Sequence, residues 1–176
     1  NDYSGKLYLN NIKDAYGKTA YSTFNSYTVL VQGNDITIQN LTIQNSAGRV
    51  GQAVALDVVG TRCQVLNCNL LGNQDTLLTN SDTSLQYYAD CYIEGTTDFI
   101  FGPATAIFSG CTIKSLTNSY ITAASTPKGQ EFGYVFFDCK LIAAPEAKKV
   151  FLGRPWRPYA QVVYIRTKMG DHILPQ

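Results

Sequence analysis

The stretch from Tyr87 to Gly102 places an acid where an acid is costly. Asp98 directly precedes the apolar run 99–101, and an apolar alternation centred on Cys91 comes before it. A carboxylate set against aromatic rings loses hydration unless a cation or hydrogen-bond donors compensate for the loss. Asp98 is therefore a candidate for a chemically active carboxylate, and the alternative is a well-partnered structural one.

The pattern around Cys91 recurs along the chain. Each copy is a short apolar alternation with Asn, Asp or Gly just before the position of the cysteine. The five copies are Ile38 to Ile43, Val65 to Leu70, Tyr88 to Ile93, Phe108 to Ile113 and Phe136 to Leu141, spaced by 27, 23, 20 and 28 residues. Repeats of this length, each carrying one short alternating strand, indicate a solenoid, and no stretch shows a helical period. The sequence therefore predicts an all-β fold, a parallel β-helix in which each repeat is one coil.

The repeat gives Asp98 a neighbour. Asp75 lies seven residues after Cys68, as Asp98 lies seven residues after Cys91. Equal offsets on consecutive coils place the two carboxylates on one face, about 5 Å apart, which is the strand spacing. Two such carboxylates cannot both hold their charge cheaply, so one is expected to keep its proton while the other stays ionised. A solvated polar ladder along the β-helix is the alternative.

Neutral amides and a cation accompany the two acids. Gln52 opens the apolar stretch 51–56, Gln74 directly precedes Asp75, and Arg154 lies with Trp156 on the proline-containing loop 153–158. Uncharged amide donors suit an oxyanion that forms on a carbonyl carbon. Taken alone, Gln52 could equally be a satisfied core amide, and Arg154 beside Trp156 could be surface packing.

The composition limits the functional classes. The 176 residues carry a formal net charge of +1, with 45% hydrophobic and 15% charged residues. Such a chain can bury a sizeable core, and it has no basic stripe that would attract nucleic acid. No apolar run is long enough to span a membrane. We expect no metal, since no Cys-His or zinc-like spacing occurs. We also expect a monomer that lacks a cofactor and binds neither nucleic acid nor a membrane.

The cysteines are predicted to be core thiols. Four of the five share one repeat position, where stacked side chains point the same way and stay a strand spacing apart, and Cys63 fits an inward position on its own coil. A disulfide needs Cβ atoms about 3.8 Å apart, so we expect none. The single histidine, His172, is far from the acids in sequence and is interpreted as structural.

Four motifs together resemble those of the pectin methylesterases, in order and with suitable spacing. They are Gly-Gln-Ala-Val-Ala-Leu at 51–56, Gln-Asp-Thr-Leu at 74–77, the stretch from Asp90 to Gly102, and Leu-Gly-Arg-Pro-Trp at 152–156. The resemblance covers essentially the whole chain. It implies a right-handed parallel β-helix that hydrolyses methyl esters of galacturonate in pectin, releasing methanol without a metal, in a secreted, periplasmic or cell-wall location.

The resemblance also implies roles for individual residues. Asp98 would be the nucleophile on the ester carbonyl, and Asp75 the general acid and then the general base. Gln52 and Gln74 would stabilise the tetrahedral anion, and Arg154 would hold Asp98 ionised and oriented. The side chains of Phe101 and Trp156 would line the sugar-binding cleft.

The sequence departs from the family pattern in three places. The opening coils with a Gly-x-Tyr-x-Glu motif are absent, and the chain stops before a Pro-x-Gly-Trp-like segment. The Tyr that commonly follows Gln-Asp-Thr-Leu is Leu78 here. We therefore expect residues 1–176 to be one β-helix domain that is truncated at both ends.

Two rival functions fit a β-helix with paired acids. Carboxylates about 5 Å apart suit a retaining glycosidase, and a lyase acting on the same polymer would need a cluster of acids for calcium. Asn118, seven residues after Cys111, is expected to take the place of a third acid on the next coil. A non-catalytic module that only binds pectin is the second rival.

Overall fold

The computed structural model describes residues 2–8, 13 and 17–175 of the chain. Its described residues form strands and one 3-10 turn, Thr23–Asn25. The strands are β1 (Val29–Val31), β2 (Thr37–Gln39), β3 (Thr42–Gln44), β4 (Leu56–Val58), β5 (Cys63–Leu66), β6 (Asn69–Leu71), β7 (Leu77–Thr79), β8 (Leu85–Ala89), β9 (Tyr92–Gly95), β10 (Ile100–Gly102), β11 (Thr105–Ser109), β12 (Thr112–Ser115), β13 (Tyr120–Ala124), β14 (Tyr134–Phe137), β15 (Lys140–Ala143), β16 (Phe151–Gly153), β17 (Val162–Ile165) and β18 (Lys168–Met169). No helix in this part of the chain has the length and apolar character to cross a membrane.

Every third strand joins the same parallel sheet. Sheet 1 has the order β1-β4-β7-β10-β13-β16, sheet 2 contains β2, β5, β8, β11, β14 and β17, and sheet 3 contains β3, β6, β9, β12, β15 and β18. Three consecutive strands therefore make one coil, and stacked coils make a parallel β-helix, as the sequence predicted. The expectation of one strand per repeat is wrong, because a bend divides each repeated phrase into a strand of sheet 2 and a strand of sheet 3.

The bend explains the repeated Asn, Asp and Gly. The residue just before the cysteine position has a left-handed φ, between 48° and 65°, at Asn40, Asn67, Asp90, Gly110 and Asp138. Gly, Asn and Asp reach this region at low cost, whereas a β-branched residue does not. The last coil uses Arg166, with φ 49°. The bend is thus set by local backbone chemistry, and the cysteines that follow it are buried.

Identical positions on successive coils stack into columns inside the solenoid. Tyr88, Phe108, Phe136 and Tyr164 form one column, with ring centroids 4.8, 4.5 and 4.7 Å apart and nearly parallel planes. All five cysteines are free and buried, as predicted. These columns fix the vertical alignment of the coils, so that residues at one sheet position on neighbouring coils lie side by side.

Candidate active site

A cavity of about 440 Å³ lies on the outer face of sheet 1. Its lining includes all seven residues that the sequence singled out as a site: Gln52, Gln74, Asp75, Asp98, Phe101, Arg154 and Trp156. These residues come from three coils, those of β4, β7 and β10, and from the loop after β16. The parallel register of sheet 1 brings them together.

The two aspartates occupy equivalent places on consecutive coils. Leu77 pairs with Ile100 in sheet 1. Asp75 lies two residues before Leu77, and Asp98 lies two residues before Ile100. Both have left-handed backbones, with φ 67° at Asp75 and 50° at Asp98. The Asp75 N–H donates to the Thr97 carbonyl at 3.1 Å. Both side chains are nearly buried, with 7% exposure of each residue.

Arg154 binds the Asp98 carboxylate with two parallel hydrogen bonds. Its Nε donates to Oδ1 at 3.0 Å, and its Nη2 donates to Oδ2 at 2.5 Å. This fork is the geometry in which Arg orients a carboxylate best. The hydrogen bonds that Arg154 donates to Asp98 in turn raise the pKa of Arg154. Asp98 is therefore a fixed, charge-paired carboxylate.

Asp75 has no such partner among the described residues, and it holds its proton. Burial, together with the negative charge of Asp98, raises the pKa of Asp75 to about 8, against an opposing effect of Arg154. Burial disfavours the charged form, and a nearby like charge adds to the effect. At neutral pH the site thus contains one protonated and one ion-paired carboxyl group, an arrangement that can supply both a proton and a negatively charged oxygen.

The two glutamines lie side by side in the cavity that contains the two aspartates. Gln52 and Gln74 form a parallel bridge, and the Ala53 N–H donates to the Gln74 carbonyl at 3.0 Å. Both side chains line the cavity, and neither amide bonds another residue in the described part of the chain. The cavity therefore holds two neutral amide donors that remain available to a bound oxygen.

Aromatic side chains form the other wall. Phe101 is buried under Trp156, with ring centroids 6.0 Å apart, and the indole is 36% exposed. Two further lining residues, Thr23 and Phe24, escaped the sequence reasoning. They come from the 3-10 turn before the first coil, where no repeated phrase marks them. Their only signal is their position directly ahead of β1.

A second cavity, of about 400 Å³, continues from the first past Phe24 and Trp156, which line both. Its wall includes Leu78, Asp82 and Arg157. Leu78 is 1% exposed and packs with Phe101 in an outer apolar cluster. The replacement of the expected tyrosine by Leu78 thus affects this second cavity.

The sequence misplaced the coil that follows Asp98. Asn118 was expected at the equivalent position, but Ile100 pairs with Thr122, so the residue in register with Asp98 is Tyr120. Ser115 pairs with Gly95 and Thr122 with Ile100, so this coil has two more residues between the paired positions, which shifts the offset. The side-chain Oδ1 of Asn118 instead accepts the backbone N–H groups of Lys148 and Lys149. In the described ranges, no three His, Cys, Asp or Glu side chains are grouped as a metal site.

Residues 8–176 match the profile of the family described as Pectinesterase. Pectinesterase 31 of Arabidopsis thaliana is 44% identical over 153 residues, 86% of this chain and 48% of that protein. The pectin methylesterase from carrot superposes with a TM-score of 0.83 at 30% identity, over 98% of this chain and 56% of that one. A pectin methylesterase in complex with hexasaccharide VII gives 0.81 at 28% identity, over 98% of this chain and 61% of that one. The chain spans about half the length of the curated relatives it matches.

Proposed function

The chain belongs to the pectinesterase family, and from this premise we propose that it hydrolyses methyl esters of galacturonate units in pectin and releases methanol. The observation that carries the proposal is the pairing of unlike carboxyl groups. Asp98 is held by the Arg154 fork, and beside it burial raises the pKa of Asp75 to about 8. An ester hydrolase that lacks a metal needs this combination of a nucleophile and an acid.

The first half of the reaction forms a covalent intermediate. A carboxylate oxygen of Asp98 attacks the ester carbonyl carbon, and the carbonyl oxygen becomes an anion. The side-chain amides of Gln52 and Gln74 donate hydrogen bonds to that oxygen. When the C–O bond to the methoxy group breaks, Asp75 gives its proton to the leaving oxygen, and methanol departs. The product of this step is an anhydride between Asp98 and the galacturonate.

The second half returns the site to its starting state. Asp75, now ionised, takes a proton from a water molecule, and the resulting hydroxide attacks the galacturonyl carbon of the anhydride. Cleavage of that anhydride frees Asp98 as a carboxylate and leaves a galacturonic acid group on the polymer, which releases its proton to solvent and becomes a carboxylate. Arg154 keeps the Asp98 oxygens aligned in both steps, because its two hydrogen bonds fix the plane of the carboxylate.

The substrate is a polymer in this proposal. The cavity is open and continues into the second cavity, and aromatic rings such as those of Phe101 and Trp156 offer apolar faces to sugar rings. One solved relative is a complex with a hexasaccharide. We further propose that the protein acts as a monomer in a secreted, periplasmic or cell-wall setting, where this polymer occurs.

One incubation tests the proposal. The 176-residue chain is mixed with highly methylated pectin, and methanol, new reducing ends and unsaturated products are followed together. Methanol alone is the expected product. New reducing ends would indicate a glycosidase, and unsaturated ends a lyase. Binding without any product would indicate a non-catalytic module, and each of these three outcomes would contradict the proposal.

The chain supplies a matched control for the site. Asp138 also has a left-handed backbone, with φ 53°, and accepts two hydrogen bonds from Arg166 at 2.7 and 2.8 Å, away from the cavity. Asp98→Asn should abolish methanol release, whereas Asp138→Asn should leave it unchanged. Asn tolerates the left-handed backbone, so both variants keep the local fold. Equal losses in the two variants would show a structural effect instead.

A further inference from the structure

Asp75 and Asp98 occupy equivalent positions on consecutive coils, and the register of sheet 1 places an aromatic residue at the same position on the next coil. Tyr120 is in register with Asp98, as Asp98 is with Asp75, because Ile100 pairs with Thr122. The Asp98 N–H donates to the Tyr120 carbonyl at 2.9 Å. The backbone of Tyr120 thus already supports the residue proposed as the nucleophile.

The side chain of Arg154 has to cross this coil. Arg154 follows β16, two coils from Asp98, and its own N–H donates to the Thr122 carbonyl at 2.9 Å. From there the guanidinium group reaches past β13 to the Asp98 carboxylate on the coil of β10. An arginine side chain that spans two coils has several rotatable bonds. A neighbouring surface is needed to restrict it to one conformation.

The ring of Tyr120 is that surface. The guanidinium carbon of Arg154 lies 5.0 Å from the centroid of the Tyr120 ring, within the range of a cation–π contact. The Tyr120 ring in turn stacks on Phe151, with centroids 5.1 Å apart and planes inclined by 22°. Phe151 is the register partner of Tyr120 on the next coil, so the platform is built into the sheet.

Arg154 needs this support from the Tyr120 ring because its side chain is exposed to water. The Arg154 side chain is 51% exposed, whereas that of Asp98 is 10% exposed. A half-exposed arginine that loses one of its contacts can turn toward water, and the nucleophile would then lose its orientation. The Tyr120 hydroxyl makes no hydrogen bond to another residue in the described segments. The face of the ring, not the hydroxyl group, is therefore the part that can act.

We propose that Tyr120 is a positioning residue for the ester hydrolysis: its ring holds the Arg154 guanidinium in the one arrangement that fixes both oxygens of Asp98. This inference rests on the proposed function. Tyr120 does not contact the reacting atoms, and its effect passes through Arg154. Its loss should therefore lower kcat and leave KM nearly unchanged, because the substrate cavity keeps its shape.

Three replacements at one position separate the ring face from packing. Tyr120→Phe keeps the ring and should retain kcat. Tyr120→Leu removes the ring and should lower kcat by about tenfold, since small misplacements of a catalytic group are costly. Incorporation of pentafluorophenylalanine at position 120 keeps the shape but removes the negative face of the ring. It should also lower kcat relative to Tyr120→Phe, because the cation–π attraction depends on that face.

The experiment measures kcat and KM for methanol release from methylated pectin, together with the thermal midpoint of each variant. Tyr87→Leu, an exposed ring on sheet 2, is the control and should have no effect. If Tyr120→Leu does not fold, the comparison of kcat between Tyr120→Phe and the pentafluorophenylalanine variant still tests the inference. Equal kcat in that pair, or wild-type kcat in Tyr120→Leu, would overturn the inference. If the wild-type chain releases no methanol, the proposed function itself fails first.

Discussion

The ring of Phe24 lies nearly parallel to the indole of Trp156, with centroids 6.4 Å apart and planes inclined by 17°. One ring comes from the 3-10 turn ahead of the first coil and the other from the loop after β16. Both line the two cavities on the outer face of sheet 1. A polymer that occupies both cavities must therefore contact this pair.

Loss of the indole should weaken substrate binding more than it slows the chemistry. An aromatic face covers a sugar ring at low entropic cost, and Trp156 has no role in the proposed bond changes. Trp156→Ala is expected to raise KM by about tenfold with little change in kcat. Phe24→Ala should act in the same direction.

Methanol release at several pectin concentrations gives both constants. Phe132→Ala, which removes an exposed ring outside both cavities, is the control. A collapsed kcat with unchanged KM in Trp156→Ala would assign the indole to the reaction centre instead.

Sequence reasoning found the acid pair but not every part of its surroundings. The offset from the cysteine placed Asp75 and Asp98 correctly because Leu71 pairs with Glu94 and Leu77 with Ile100, so both coils have the same number of residues between these paired positions. It failed at Asn118, since a turn can lengthen by two residues without changing the strand pattern on either side. Phe24 could not be found at all, because the turn that carries it lies outside the repeats and only the fold brings it to Trp156.

A second acid in an apolar run went unnoticed. Asp57 lies in the middle of β4, and it is 2% exposed. Its Oδ2 accepts a long hydrogen bond of 3.4 Å from Asn80, and its Oδ1 has no partner among the described residues. In the sequence, Asp57 lies within an apolar run, much as Asp98 lies directly before one. Pattern alone could not say that one carboxylate would have a bidentate arginine and the other a single weak amide.

Asp57 should destabilise the fold at neutral pH. Burial raises the pKa of Asp57 from 3.8 to about 6. Between these two pH values the folded state holds a proton that the unfolded state has released, and above them the folded state contains a buried charge. The stability that this proton brings is fully present below pH 3.8 and is lost as the pH rises through 6. Asp57→Asn is therefore expected to raise the free energy of unfolding at pH 8 by about 2–3 kcal/mol.

Urea unfolding at pH 4 and pH 8 measures this difference. The gain from Asp57→Asn should shrink toward zero at the lower pH. Asp35→Asn is the control, because the hydrogen bond from Arg62 lowers the pKa of the exposed Asp35 and its removal cannot stabilise the fold in the same way. A gain in Asp57→Asn that is equal at both pH values would show that the effect is not the buried charge.

The five thiols should be inaccessible in the native protein. Each cysteine is buried, and those of the stacked column donate to backbone carbonyls, as Cys91 does to Val65 at 3.3 Å. Titration with a thiol reagent should find almost no reactive groups before denaturation and five afterwards without reductant. Thr83→Cys, at an exposed position, should add one fast native thiol and shows that the reagent works. Fewer than five after denaturation would reveal a disulfide.

The rate of methanol release should fall at alkaline pH. Asp75 must carry a proton to protonate the leaving methoxy oxygen, and burial with the charge of Asp98 raises its pKa to about 8. Above that pH the protonated fraction drops tenfold for each pH unit, so kcat/KM should decline with the same slope. Asp98→Asn provides the blank for alkaline hydrolysis of the ester itself. A kcat/KM that stays level to pH 10 would remove Asp75 as the acid.

The two aspartates should respond differently to the leaving group. On the methyl ester both Asp98→Asn and Asp75→Asn should lose activity, the second by about 100- to 10,000-fold, which is the usual contribution of a general acid. A p-nitrophenyl ester of galacturonate has a leaving group that departs without a proton. On that ester Asp75→Asn should regain a fast first release of nitrophenol, because Asp98 and the Arg154 fork remain in place.

The later turnovers of Asp75→Asn should stay slow, since hydrolysis of the anhydride still needs a base. A rapid burst close to one equivalent per protein, followed by a slow phase, is therefore the expected trace. Asp98→Asn should show neither phase on either ester, because it lacks the nucleophile. Arg154 binds Asp98 and not Asp75, which is why the nucleophile is assigned to Asp98. If the activated ester instead rescues Asp98→Asn and fails to rescue Asp75→Asn, the two roles are reversed and the bidentate pair orients the acid.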